Sequence, residues 1–328
     1  MTTKTSGMPQ FYVSVEQDYV TLSNEAALAY ATNTGRFWIH GKDALDLLNR
    51  ISTQQLADVK KNEVSFTVQT TNKGRIIDFL TVTNLGDRLL VFTALEAKDS
   101  VMDSIDFFSF DEDVKLEDCT AETELYQLFG DEASTKIISL LQDESHVPDI
   151  NQAKQISVSN EEVIIIRTDR VKIPTYEILA MNSSKSIHSN LTGLGLPFVG
   201  TKALEIFRIE KGIPVFGSEL TERFNPIEAG LSHAISFDKG CYVGQEVVAR
   251  LNTYDKVKRQ LIRLNWNKPG IKKGDDIFSG DQKIGEVTSC AQKTHQNFVG
   301  LGYLARNSNL DEVTIGSQRV TAKVSKNQ

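Results

Sequence analysis

The change of texture at about Leu251 constrains this chain more than any other feature. Beyond it, Leu261–Leu264, Asp276–Phe278, Ile284–Cys290, Phe298–Leu304 and Val313–Val324 are short strand-like runs, separated by the turns Lys268-Pro269-Gly270, Ser279-Gly280-Asp281 and Gly316-Ser317. Glycine supplies positive φ and proline a fixed one, so each cluster reverses the chain within a few residues. Short strands reversed this often leave edges that must be paired, and closure into a barrel pairs them all. The expectation is a small C-terminal β-barrel domain over residues 251–328, appended to an α+β region over residues 1–250.

The larger region mixes helical and alternating periods. Residues 1–24 carry few long apolar runs and are expected to be partly loose. Asp43 stands as an N-cap before Ala44, Leu45, Leu47, Leu48 and Ile51, which recur at helical spacing. Val64–Val68, Ile76–Val82 and Leu89–Phe92, with Asn72-Lys73-Gly74 and Gly86-Asp87 between them, read as an antiparallel meander leading into a helix over Lys98–Phe108. Val163–Ile166, Tyr176–Ala180 and a Ser-initiated segment echo the order strand, turn, strand, helix, which suggests paired α+β subdomains. Further helices are expected over Asp131–Leu141 and Thr201–Lys211, the second with Ala203, Leu204 and Phe207 on a broad apolar face.

Of 328 residues, 43 are Asp or Glu and 36 Lys or Arg, a formal net charge of −7. Nucleic-acid binders present a basic face, so direct nucleic-acid binding is not expected. No apolar run reaches the roughly 20 residues that cross a bilayer, and MTTKTSGMPQ lacks the apolar core of a signal peptide. A cytoplasmic protein without a membrane partner is therefore expected. Cys119, Cys241 and Cys290 are far apart, with no C-x-x-C pair, which fits a reducing compartment and cannot furnish the four thiolates of an iron–sulfur cluster. The five histidines are never three or four residues apart, so no metal site on a single helix is expected.

The most informative stretch is 205–250, EIFRIEKGIPVFGSELTERFNPIEAGLSHAISFDKGCYVGQEVVAR, where ionisable and aromatic residues are interleaved with Gly212, Gly217, Gly230, Gly240 and Gly244. Glycine lets a backbone turn at positive φ or pass close to a ligand, which a merely packed core does not need. Arg208 and Glu210 stand near the end of the predicted helix, two apart and so on different faces, with Gly212 as its stop. A carboxylate at a helix end can accept two parallel hydrogen bonds from an aminopyrimidinone edge; it can equally pair locally. In Lys239-Gly240-Cys241-Tyr242-Val243-Gly244-Gln245-Glu246, a lysine near a thiol favours the reactive thiolate, while the alternative is a buried, inert cysteine.

The string K-G-C-Y-V-G-Q-E resembles the signature of YgfZ-like folate-binding proteins, which maintain iron–sulfur enzymes. R-I-E-K-G-I-P-V-F-G and N-P-I-E-A-G-L resemble the pterin-binding segment of the glycine-cleavage T-protein aminomethyltransferases, and Gly41-Lys42-Asp43-Ala44 and Lys73-Gly74-Arg75-Ile76-Ile77-Asp78 match the same superfamily's N-terminal pattern. The resemblance implies an α+β fold of two interwoven sheet-and-helix subdomains with a C-terminal β-barrel, arranged around a central folate cleft. It implies tetrahydrofolate, or a one-carbon derivative, as cofactor, with Glu210 facing the pterin and Arg250 near it. Cys241 would be the functional thiol, in a loop shaped by Lys239, Tyr242, Gln245 and Glu246. Asp78 matches an aspartate that helps T-proteins activate folate, whereas Phe79 replaces their second acid and Phe216 a frequent tyrosine. The function implied is an accessory one: support of iron–sulfur cluster assembly or repair, in bacteria including iron–sulfur tRNA-modifying enzymes. Its partners would be iron–sulfur enzymes or cluster-assembly proteins. A folate-dependent aminomethyl- or methyltransferase is the alternative.

Overall fold

The computed structural model describes residues 9–168, 173–181, 185–254, 256–306, 308 and 310–326. Strands β1 (Ala27–Tyr30) and β2 (Thr34–His40) are neighbours in sequence yet enter different sheets. β1 forms the edge of a five-stranded antiparallel sheet that continues through β7 (Thr123–Phe129), β10 (Thr175–Met181), β9 (Glu161–Arg167) and β8 (Gln152–Val158). β2 lies between β5 (Arg88–Ala94) and β6 (Lys115–Asp118) in a second five-stranded sheet, completed by β4 (Ile76–Asn84) and β3 (Val64–Thr70). The chain thus starts in one sheet, builds the other, and returns. The two sheet-and-helix subdomains are interwoven, as expected.

Runs such as RLLVFTA in β5 and EEVIIIR in β9 are apolar on both faces because both faces are covered. The inner faces meet in one core, with Trp38, Leu90 and Phe92 from the second sheet against Leu125, Ile164 and Leu179 from the first. Helices α2 (Ala44–Ile51) and α3 (Lys98–Phe108) cover the outer face of the second sheet. Helices α4 (Ala133–Leu141) and α5 (Lys185–Gly193) cover that of the first. Asp43 occupies the N-cap position of α2, but its carboxylate accepts the Asp113 N–H at 2.9 Å and caps no helical N–H.

Of residues 1–24, expected to be partly loose, the first eight lie outside the described residues and the last ten are not loose. Val15–Asn24 is a helix, α1, capped by Ser14, whose Oγ accepts the Gln17 N–H at 3.0 Å. A buried carboxylate, rather than an apolar stripe, holds its start: Asp18 accepts the N–H groups of Tyr12, Val13 and Gly200 at 2.8, 3.1 and 2.9 Å. An apolar-periodicity reading has no term for such an anchor.

Helix α6 (Thr201–Lys211) packs on α1 and on the barrel and ends at Gly212 with φ of 72°. Helix α7 (Gln245–Thr253) precedes the closed barrel of β11 (Arg259–Trp266), β12 (Asp276–Ser279), β13 (Gln282–Thr294), β14 (Asn297–Ala305), β15 (Glu312–Ile315) and β16 (Val320–Lys326). The run Val313–Val324 is two strands, broken at Gly316. Among the described residues, no helix is long and apolar enough to cross a membrane.

Candidate functional site: a central cavity and a separate thiol loop

A cavity of about 530 Å³ lies between the two sheets, α6 and the segment 213–220; among the described residues none beyond Leu220 lines it. Its walls are aromatic, with Phe79 and Phe92 from one sheet, Tyr30 and Phe129 from the other, and Phe207 and Phe216 opposite. Its charged groups are mostly acids, namely Asp78, Glu96, Glu177 and Glu205, with Arg208, among neutral threonine, asparagine and glutamine side chains.

Three of these acids, Asp78, Glu177 and Glu205, are each placed by a local cause. The β4–β5 ladder runs from Thr81 opposite Phe92 to Asn84 opposite Leu89 and has parted at Asp78. The Asp78 carboxylate, only 2% exposed, fills that gap, accepting the Ala94 N–H at 2.7 Å and the Thr93 hydroxyl. On β10, Tyr176, Ile178 and Ala180 point into the helix-covered core and Leu179 into the core between the sheets. Side chains alternate along a strand, so Glu177 shares Leu179's face and reaches the cavity. Glu205 is held by a two-pronged guanidinium: Arg208 Nε and Nη2 donate to its Oε2 and Oε1 at 2.7 and 2.5 Å. Arg208 Nη1 donates to the fully buried Glu219 at 3.1 Å, and the Thr288 and Ser289 hydroxyls of β13 donate to Glu219 Oε1 at 2.6 and 2.7 Å. The cavity wall is thereby tied to the barrel.

Of the residues singled out from sequence, Asp78 and Phe216 line the cavity. Glu210 does not. Its carboxylate accepts Lys293 Nζ at 2.7 Å and the Tyr19 hydroxyl, which ties α6 to the barrel and to α1. The reason is helical period: Glu205 and Arg208 share one face, and Glu210, two residues on, is turned by about 200°. Arg250 is also elsewhere, exposed and paired with Glu246 at 2.8 Å. Sequence reasoning missed Glu177 and Glu205. The signal for Glu177 was a charged side chain on the inward row of an otherwise apolar strand.

Lys239, Cys241, Tyr242 and Gln245 lie outside the cavity, in a loop at the C-terminal end of α2. Lys239 Nζ donates to the carbonyls of Asn49, Ser52 and Gln54 at 2.5, 3.0 and 2.6 Å. These are acceptors that the end of α2 cannot satisfy internally. Burial pushes the ammonium down to about 8, while three carbonyls match the three N–H donors of its charged form. The three donors of the lysine are thus directed at the end of α2 and the residues just after it. Tyr242 is buried beside it, its phenol pushed up to about 12 by burial. Gln245 Nε2 donates back to the Lys239 and Gly240 carbonyls at 3.3 and 3.2 Å. Val243 is fixed at both backbone groups, its N–H on the Arg50 carbonyl at 3.1 Å and its carbonyl on the Thr70 hydroxyl at 2.7 Å. Gly244 has φ of +85°, and a Cβ there would stand 2.6 Å from the Thr71 carbonyl oxygen, so only glycine fits. The outcome is a tied-down loop with the Cys241 thiol exposed. Cys119, by contrast, is buried, and burial pushes its thiol up to about 12.

This architecture is shared. The crystal structure of the glycine cleavage system aminomethyltransferase T from Bartonella henselae superposes with a TM-score of 0.84, covering 98% of this chain and 90% of that one, at 19% identity. An aminomethyltransferase of Bacillus pumilus is 26% identical over 333 residues, 97% of this chain and 90% of that protein. A chloroplastic protein of Arabidopsis thaliana, named as a transferase without a stated substrate, is 25% identical over 305 residues, 92% of this chain and 70% of its own. The model of the GCVT N-terminal domain matches residues 2–239, which takes in both sheets, the cavity and the start of the thiol loop. The chain belongs to the family defined by that domain.

Proposed function

We propose that this chain binds tetrahydrofolate, or a one-carbon derivative, in the central cavity and works through the Cys241 loop as an accessory protein of iron–sulfur cluster assembly or repair, in the YgfZ-like branch of its superfamily. The observation that carries the folate part is the cavity's composition: six aromatic rings and four carboxylates in about 530 Å³. A reduced pterin is a flat ring edged with N–H donors, which needs aromatic walls and charge-assisted acceptors. The residues present fit it. Glu177 and Glu205 supply acceptors, and Asp78, already taking the Thr93 and Ala94 donors, is an oriented acceptor rather than a mobile base. Folate, when bound, supplies the one-carbon chemistry. Support for the accessory part comes from K-G-C-Y-V-G-Q-E, most of whose other members tie the loop down while the thiol is exposed. Its partners are then iron–sulfur enzymes or cluster-assembly proteins in the cytoplasm, in bacteria including the enzymes that modify tRNA.

Calorimetric titration with tetrahydrofolate tests the first part. Glu177→Gln is expected to weaken binding by about 1.5–3 kcal/mol, the worth of a hydrogen bond to a charged group, and Glu210→Gln to leave affinity unchanged. The reverse pattern would move the pterin out of the cavity. Cys241→Ser should keep folate affinity yet fail to restore iron–sulfur enzyme activity in a deletion strain. The position of Asp78 on the cavity wall favours a second reading, folate-dependent aminomethyl transfer. Turnover with an aminomethylated lipoyl carrier that survives Cys241→Ser would establish it instead.

A further inference from the structure

We propose that the C-terminal end of α3 and the turn after it are a docking surface for a basic amphipathic helix of a partner protein. Phe107 is 79% exposed and Phe110 is 92% exposed, with Phe108 set edge-on to Phe107 at 5.1 Å between ring centroids. Rings left in water at this level, side by side, are not explained by the core, since α3 buries Val101 and Ile105 instead.

The surface is fixed in shape. The Ser109 N–H and hydroxyl both donate to the Asp106 carbonyl, at 3.1 and 2.9 Å. Glu112 Oε2 accepts the N–H groups of Phe110 and Asp111 at 2.9 and 3.1 Å, while its Oε1 takes Arg50 Nη2 at 2.5 Å. The partner therefore meets preformed anchors, which lowers the ordering cost of binding.

Charge selects the occupant. Between residues 99 and 114 stand Asp99, Asp103, Asp106, Asp111, Glu112 and Asp113, with no lysine or arginine, which is −6 out of a net −7 for the whole chain. Lys98 offsets Asp99 and Arg50 offsets Glu112, whereas Asp103, Asp106, Asp111 and Asp113 are exposed and form no salt bridge among the described residues. Aromatic anchors inside an acidic rim suit a helix with an apolar stripe and a lysine- or arginine-rich flank. The same charges repel a second copy of this face, an anionic bilayer and nucleic acid. Arg50 also joins this face to the thiol loop, because its carbonyl accepts the Val243 N–H. A partner seated on Phe107 and Phe110 is thus brought beside the segment that carries Cys241.

The probe is a fluorescein-labelled helical peptide of leucine and lysine, with leucines at i, i+3, i+4 and i+7, titrated by anisotropy into the full-length protein. Hydrogen exchange maps its footprint. Binding that falls at least tenfold in Phe107→Ser/Phe110→Ser, weakens with salt, and protects amides 103–113 supports the proposal. Asp106→Lys/Asp111→Lys should abolish most of the salt dependence while leaving the fold intact. Equal affinity in the Phe107→Ser/Phe110→Ser variant, or protection elsewhere, overturns it. So does concentration-dependent dimerisation lost in that variant, or capture by vesicles rich in phosphatidylserine.

Discussion

Arg208→Met is expected to destabilise the protein by about 3–5 kcal/mol, the usual loss when one partner of a buried ion pair is removed. Glu219 is fully buried, and Arg208 is its only cationic contact among the described residues. The hydroxyls of Thr288 and Ser289 and the Val215 N–H would still donate to it, but none supplies charge. Arg208→Met also frees Glu205, which is otherwise held at both oxygens. Chemical denaturation checks the magnitude. Adding Glu219→Gln should restore about 1–3 kcal/mol, the coupling expected of directly bonded residues. Strictly additive losses in the double variant would mean that the guanidinium acts through packing alone.

Lys239→Met should cost about 2–3 kcal/mol, because it leaves buried carbonyls of α2's end without a donor, whereas Cys241→Ser should stay within about 0.5 kcal/mol as an exposed change. The contrast separates two roles for one motif. If Lys239 acted on the thiol instead, Lys239→Met would leave stability intact and slow the alkylation of Cys241 by iodoacetamide at neutral pH. That pairing of results would return the lysine to the chemistry.

The sequence revealed what is periodic and local. The α3 and α6 boundaries, the meander of β3 to β5 and the presence of a barrel follow from apolar period and turn residues, although the run Val313–Val324 hides two of its six strands. Helix α1 escaped because a buried carboxylate on distant N–H groups anchors it. Beyond Asp78, the acids of the cavity escaped for a related reason. The cavity's acids come from β4, the turn after β5, β10 and α6, so no window of sequence contains them together. The dense motif at 239–246 drew attention instead, and most of its composition records how a loop is tied down. Glu210 was the plausible carboxylate of its segment, yet the turn of the helix points it at Lys293.

The early divergence of β1 and β2 has a consequence for biosynthesis. Among the described residues, β1 pairs with β7 and bridges to Phe198, and α1 rests on α6, all made much later. At ordinary elongation speed the emerging N-terminus waits roughly 5–20 s for its first strand partner. A fragment stopped after β6 would hold one finished sheet and one orphaned strand, an open edge for aggregation. Cellular yield should therefore depend on chaperones that shelter the nascent N-terminus, rather than on the stability of the finished protein.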